Sequence, residues 1–280
     1  MYLNKSSKIL FEKISTQANR LVSLTNKIHS TSKTKTLVVT SGKGGVGKST
    51  LTSNIAYLLS QKKQKVAVLD ADIGLANLQV LFNLKPRNTI FDYIEGECPL
   101  ENILTTTSYH NITLIAGKSG YQYSKINNSM HFSRLVEDIV ALNKFDILII
   151  DTGAGLNEQV QEFLDATDNI LALTTTDPSA LTDVYALIKM LSLKKNNLML
   201  CFNFTAKYEI GATITNSLKN LALKNKLNRK FMVQYMGNVS QMNSVSTTGR
   251  LRKLFAKELK DDAASLELNL VVENLIKNLR

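Results

Sequence analysis

Ten residues, Ser41-Gly42-Lys43-Gly44-Gly45-Val46-Gly47-Lys48-Ser49-Thr50, carry the chemistry most readily named in this 280-residue chain. Gly42-x-x-x-x-Gly47-Lys48-Ser49 has the spacing of a phosphate-binding loop. Glycines turn successive backbone N–H groups inward, and the nest they form at a helix N-terminus accepts phosphate oxygens. Lys48 has the reach for the β- and γ-phosphates of a nucleotide, and the Ser49 hydroxyl suits Mg²⁺. Three carboxylates close apolar runs further on: Asp70 and Asp72 after one, Asp151 after another. Water attack on a phosphoryl group needs positioning and charge neutralisation more than a strong base, so one well-placed carboxylate suffices.

These residues must be held by strands and helices. The β-branched run 36–40 predicts a buried strand ahead of the loop, and Leu51, Ile55, Leu58 and Leu59 behind it have helical spacing. Further strands are predicted over 65–69, 112–116, 145–150, 169–174, 197–202 and 232–239. Carboxylates at strand C-terminal ends sit at the mouth of a parallel sheet, beside the phosphates. That places Asp70 and Asp72 after the second strand and Asp151, in the Walker B position, after the fourth. Gly153 and Gly155 free the backbone that follows Asp151 to move. The expected fold is therefore an α/β P-loop NTPase, with a mostly parallel twisted sheet of about seven or eight strands and helices on both faces.

Lys43 serves no purpose in loop geometry. With Lys43 in place, Lys43-Gly44-Gly45-Val46-Gly47-Lys48-Ser49-Thr50 resembles the deviant Walker A motif of the MinD/ParA ATPases. The resemblance covers residues 36–280 and implies slow, partner-regulated ATP hydrolysis with Mg²⁺. It also implies an ATP-bound homodimer in which Lys43 reaches across to the partner's nucleotide. By position in that family, Asp72 orients the attacking water, Asp70 helps hold hydrated Mg²⁺, Asp151 acts on the metal through water, and Asn203 reads adenine. Two departures stand out: Gln79 where relatives carry an acid, and Ser240 where they carry a proline.

Within the family the wording resembles the flagellar FlhG (FleN) group. Asp151-Thr152-Gly153-Ala154-Gly155 is similar to that group's second switch, and the string from Pro178 through Thr182-Asp183-Val184-Tyr185-Ala186-Leu187-Ile188-Lys189 to its following helix. Gln17-Ala18-Asn19-Arg20-Leu21 resembles the group's N-terminal activator motif, with Thr16 and Val22 replacing its flanking acid and arginine. Gln17, Ala18 and Leu21 are then the expected contacts to an FlhF-type GTPase of the signal-recognition class, with flagellar switch-complex proteins as further partners. The chain divides at 1–35, an amphipathic helix over 6–28 with a polar linker, and 36–280, the ATPase domain.

Composition bounds the alternatives. No apolar run approaches the roughly 18 residues of a membrane span, and no apolar signal core opens the chain, so a cytoplasmic protein is expected. Cys98 and Cys201 are isolated, which counts against the iron–sulfur members of the superfamily. The formal net charge is +11, and nine basic residues against Glu209 lie between Lys189 and Lys230. That run keeps open a ParA-like partitioning ATPase that binds DNA, the less favoured reading. The tail 262–280 has Leu268, Val271, Val272, Leu275, Ile276 and Leu279 on one face. It is expected to pack on the core, with reversible contact to an anionic membrane left open, as in a MinD-like division-site protein, there or through 251–255.

Overall fold

In the computed structural model the described residues are 32–73, 76–118, 131–205 and 207–280. The predicted N-terminal helix, with Gln17, Ala18 and Leu21, lies outside them. Eight strands form one sheet: β1 (Lys35–Ser41), β2 (Val66–Ala71), β3 (Leu104–Thr106), β4 (Ile112–Ile115), β5 (Ile147–Ala154), β6 (Asn169–Thr174), β7 (Asn197–Asn203) and β8 (Met232–Val239). The order is β3-β4-β2-β5-β1-β6-β7-β8, parallel throughout except for the antiparallel edge pair β3–β4. β1, which feeds the glycine loop, is central, between β5 and β6.

Strand alternation divides the apolar residues between two cores. Leu37 and Val39 of β1 and Ile147 and Ile149 of β5 join one face, while Val38, Leu148 and Ile150 join the other. The first face is covered by helix α1 (Lys48–Gln61) and the C-terminal helix. On the second lie α2 (His131–Ala141), α3 (Glu158–Asp165), α4 (Pro178–Leu191) and α5 (Tyr208–Lys224). Burial on both faces explains why these strands read as continuous apolar runs.

The C-terminal helix, α6 (Ala263–Asn278), packs on β8 and α1. Leu268, Val271, Val272 and Leu275 are fully buried, as expected of a core-facing stripe, but Ile276 is exposed. Ser240 explains one departure from the family pattern. Its backbone N–H and its hydroxyl both donate to Glu267 of α6, at 2.6 and 2.9 Å, and a proline has no N–H to give. Of the stretch 251–255, Leu254 and Phe255 are buried and only Leu251 among its large apolar residues is exposed. Among the described residues no helix is long and apolar enough to cross a membrane.

If α6 is an integral part of the core, Leu268→Ala should lower the free energy of unfolding by about 2–5 kcal/mol. Leu270→Ala, on the exposed side of the helix, should stay within about 0.5 kcal/mol of the parent. Urea unfolding of the two variants measures the difference.

Candidate functional site

The strand C-terminal ends open into a cleft of about 670 Å³, within the range of ligand pockets. The glycine loop from Gly44 to Thr50 lines it, with Asp72 and Ile73 after β2, Gly153 and Ala154 at the end of β5, and Asn157 and Gln159 beyond it. Gly45 and Gly47 take φ of 79° and 86°, the left-handed values that turn the loop's N–H groups inward. Gly42 serves a different purpose: a Cβ there would collide with the Cβ of Asp183, so its absence lets α4 lie against the loop.

Beneath the loop, Asp70 and Asp151 are register partners on the adjacent strands β2 and β5. Both are buried. Lys48 Nζ stands 3.7 Å from Asp151 Oδ1, and the Thr52 hydroxyl donates to the same oxygen at 3.1 Å. Asp151 Oδ2 is buried with no hydrogen-bond partner. Asp151 does not itself line the cleft, but this orphaned carboxylate oxygen and the Ser49 hydroxyl, which does, are oxygen donors of the kind a hard cation takes. Burial pushes the Asp151 carboxyl up, against the pull of Lys48 and of the Ser49 and Thr52 hydroxyls.

Asp70 is arranged otherwise. Its two oxygens accept from Asp72 N–H at 3.3 Å and Leu78 N–H at 2.9 Å, so it ties down both ends of the segment that carries Asp72. Burial first, then the neighbouring Asp151 charge, raise its pKa to about 7. Asp72, half-buried, is shifted upward by burial and pulled back by Lys48. It faces the end of β5 and the segment that leaves it: a Cβ on Gly153 would sit 3.4 Å from Asp72 Oδ1. Gly155 N–H donates to Ser41 O at 2.9 Å, which joins that segment to the start of the loop.

Lys43 and Asn203, like Gly42, Asp70 and Asp151, are not among the residues that line the cleft. Lys43, exposed, donates to Ser179 Oγ at 3.0 Å and lies 3.9 Å from Asp177, both at the start of α4. Asn203 is buried under the loop, with Nδ2 donating to Val46 O at 2.8 Å and Oδ1 accepting from Phe204 N–H. Its carboxamide fills the space a Gly47 side chain would need.

Sequence reasoning missed Phe204, whose φ of 58° is rare for an aromatic residue. Its half-exposed ring reaches within 3.7 Å of the place a Gly47 Cβ would occupy. Asn157 was missed as well; its side chain caps α3 by accepting from Val160 N–H. The string Thr182 to Lys189 is explained by packing. Val184, Leu187 and Ile188 are buried, Asn225 donates to the Tyr185 hydroxyl, and Lys189 lies 5.0 Å from the Tyr185 ring centroid.

Among known proteins, residues 32–276 match the ParA family profile, described as the NUBPL iron-transfer P-loop NTPase. The chain is 36% identical over 247 residues to the flagellum site-determining protein YlxH of Helicobacter pylori, covering 88% of this chain and 83% of that one. It is 30% identical over 247 residues to the antiactivator FleN of Pseudomonas aeruginosa, covering 85% of each. The cell division ATPase MinD of Pyrococcus furiosus superposes with a TM-score of 0.75 at 19% identity, over 87% of this chain and 98% of that one. The iron-transfer chemistry in the profile's description finds no cysteine pair here. Cys201 belongs to one face of the sheet and Cys98 packs against the other.

Asp70 also sets a pH dependence. Its carboxyl ionises near 3.8 in the unfolded chain and at about 7 in the folded one, so between these values folding takes up a proton. In nucleotide-free protein its contribution to stability therefore falls as pH rises from about 4 to 7, at up to about 1.4 kcal/mol per pH unit. Urea unfolding across that window should show the slope in the parent and a flatter profile in Asp70→Asn.

Proposed function

The chain belongs to the ParA family of P-loop NTPases, the MinD/ParA ATPases, and on that premise we propose that it is an ATP-dependent, dimerising regulator of flagellar number and placement. The observation that carries this reading is the match to two flagellar relatives over most of both chains. The MinD-like fold alone would not separate it from division-site or partitioning ATPases.

In this reading the N–H groups from Gly44 to Thr50 hold the β- and γ-phosphates and Lys48 neutralises their charge. Mg²⁺, when bound, supplies the remaining charge neutralisation. Ser49 and Asp151 would hold it, Asp151 through the Oδ2 that has no hydrogen-bond partner. Asp70 is a positioning residue: it fixes the backbone of Asp72 and Leu78 rather than ligating the metal. Asp72 accepts a hydrogen bond from the attacking water and sets its line to the γ-phosphate. Phe204 offers the base a face to stack on, and Asn203 holds the loop beside it while keeping one amide hydrogen for the base edge.

Lys43 rests against Ser179 and Asp177 of its own chain. Exposed pairs of this kind contribute at most about 1 kcal/mol. ATP-driven dimerisation can therefore exchange them for the partner's nucleotide at small cost. The dimer is the active state, and hydrolysis resets it. The first 35 residues, through Gln17, Ala18 and Leu21, act on an FlhF-type GTPase, and the body engages flagellar switch proteins.

The partitioning reading rested on the basic run, and three of its members have local partners. Lys194 pairs with Asp165, Lys195 donates to the Asp165 and Thr167 carbonyls, and Lys189 lies over Tyr185. The membrane reading loses α6, whose stripe faces the core.

Asp72→Ala should bind ATP as the parent does and hydrolyse it about 10²-fold or more slowly. In cells that variant should remain a dimer and misplace or miscount flagella, scored by electron microscopy. Normal flagella with altered division sites or plasmid inheritance would overturn the flagellar assignment.

A further inference from the structure

A second cavity, of about 290 Å³, lies at the opposite end of the sheet from the nucleotide cleft. It runs between the C-terminal end of α5 and the start of β8. Ala222, Leu223, Leu227, Phe231 and Met232 give it apolar walls. Leu223 and Met232 are half-exposed or more, an unusual placement for large apolar side chains gathered around one groove.

Two further features coincide there. β8 ends the sheet, so beyond it no described strand pairs with its outer edge. The rim is basic: Lys219 and Arg229 line the groove, and Lys224, Lys226 and Lys230 lie on the same helix end and turn. None of these five is in an ion pair among the described residues. The chain has no Asp or Glu between Ile210 and Lys257.

From this combination we infer that the groove receives an extended acidic peptide of another protein, with one apolar side chain as its anchor. The cavity has room for a single large side chain, the open edge can pair with an extended backbone, and the rim attracts carboxylates. Charge disfavours two other occupants at this rim. Residues 1–31 carry five basic residues against Glu12, the same sign as the rim, and a second copy brings a net charge of +11. Duplex DNA would use the cations but leave the apolar walls bare. Because the groove is at the N-terminal end of β8, it stays open while the cleft at the strand C-terminal ends is occupied.

The test uses full-length protein and a fluorescent peptide of alternating Glu and Ser around one central Leu, followed by anisotropy. Binding should saturate, weaken with added salt, and fall at least about tenfold when the peptide's Leu becomes Ala. Leu223→Glu and, separately, Arg229→Glu should each weaken it by a similar factor, with ATP hydrolysis and unfolding midpoint unchanged. Both positions are exposed, so either variant can stand if the other folds poorly. The inference is overturned if the Leu and Ala peptides bind alike, or if neither binds. It is equally overturned if phosphatidylglycerol vesicles or duplex DNA bind more tightly than the peptide and Leu223→Glu leaves that binding intact.

Discussion

Two carboxylates side by side in the interior of a sheet are the constraint on which this site depends. Asp70 and Asp151 are register partners on β2 and β5, both buried, and Lys48 is the cation near them. Burial in this dry interior, and then the like charge of Asp151, push Asp70 up to about 7. Lys48 contacts one oxygen of Asp151 and leaves the other without a partner. The arrangement is electrostatically unfinished, and a bound divalent cation would complete it.

The same pair reaches the two segments that follow β2 and Asp151. Asp70 grips the backbone of Asp72 and Leu78, and the segment after Asp151 is joined to the loop through Gly155 and Ser41. A cation held at Asp151 would therefore sit between the two segments that these hydrogen bonds tie down. At the far end of the sheet, the groove beside β8 offers a separate surface for a partner. Chemistry and docking occupy opposite ends of the strands.

Much of this could be read from residue order. The glycine loop was legible because its backbone angles demand glycine at Gly45 and Gly47. The parallel strands were legible because burial on both faces leaves unbroken apolar runs. Strand β3 was not: three residues, Leu104 to Thr106, on a half-exposed edge carry no pattern that separates them from a loop. Asp70 was expected to help hold hydrated Mg²⁺; its acceptance from Asp72 and Leu78 N–H was not legible, because which backbone groups a carboxylate accepts from depends on how the chain turns after it. Asn203 was expected at the base, and its burial beneath Val46 follows from contacts 157 residues apart. The basic run looked continuous in sequence and is divided in space: Lys189, Lys194 and Lys195 have local partners, while those from Lys219 to Lys230 gather around the groove and form no ion pair among the described residues. Ser240, a departure from the family pattern, became intelligible only when Glu267 was seen to accept from its N–H.

The most direct test of the unfinished-site account is nucleotide-induced stabilisation with and without Mg²⁺. The unfolding midpoint of the full-length protein would be measured with ATP alone and with ATP plus Mg²⁺, for the parent and for Asp151→Ala. The account predicts that Mg²⁺ adds a clear increment in the parent and that this increment disappears in the variant. An equal increment in both proteins, or none in the parent, would contradict the assignment of Asp151 to the metal.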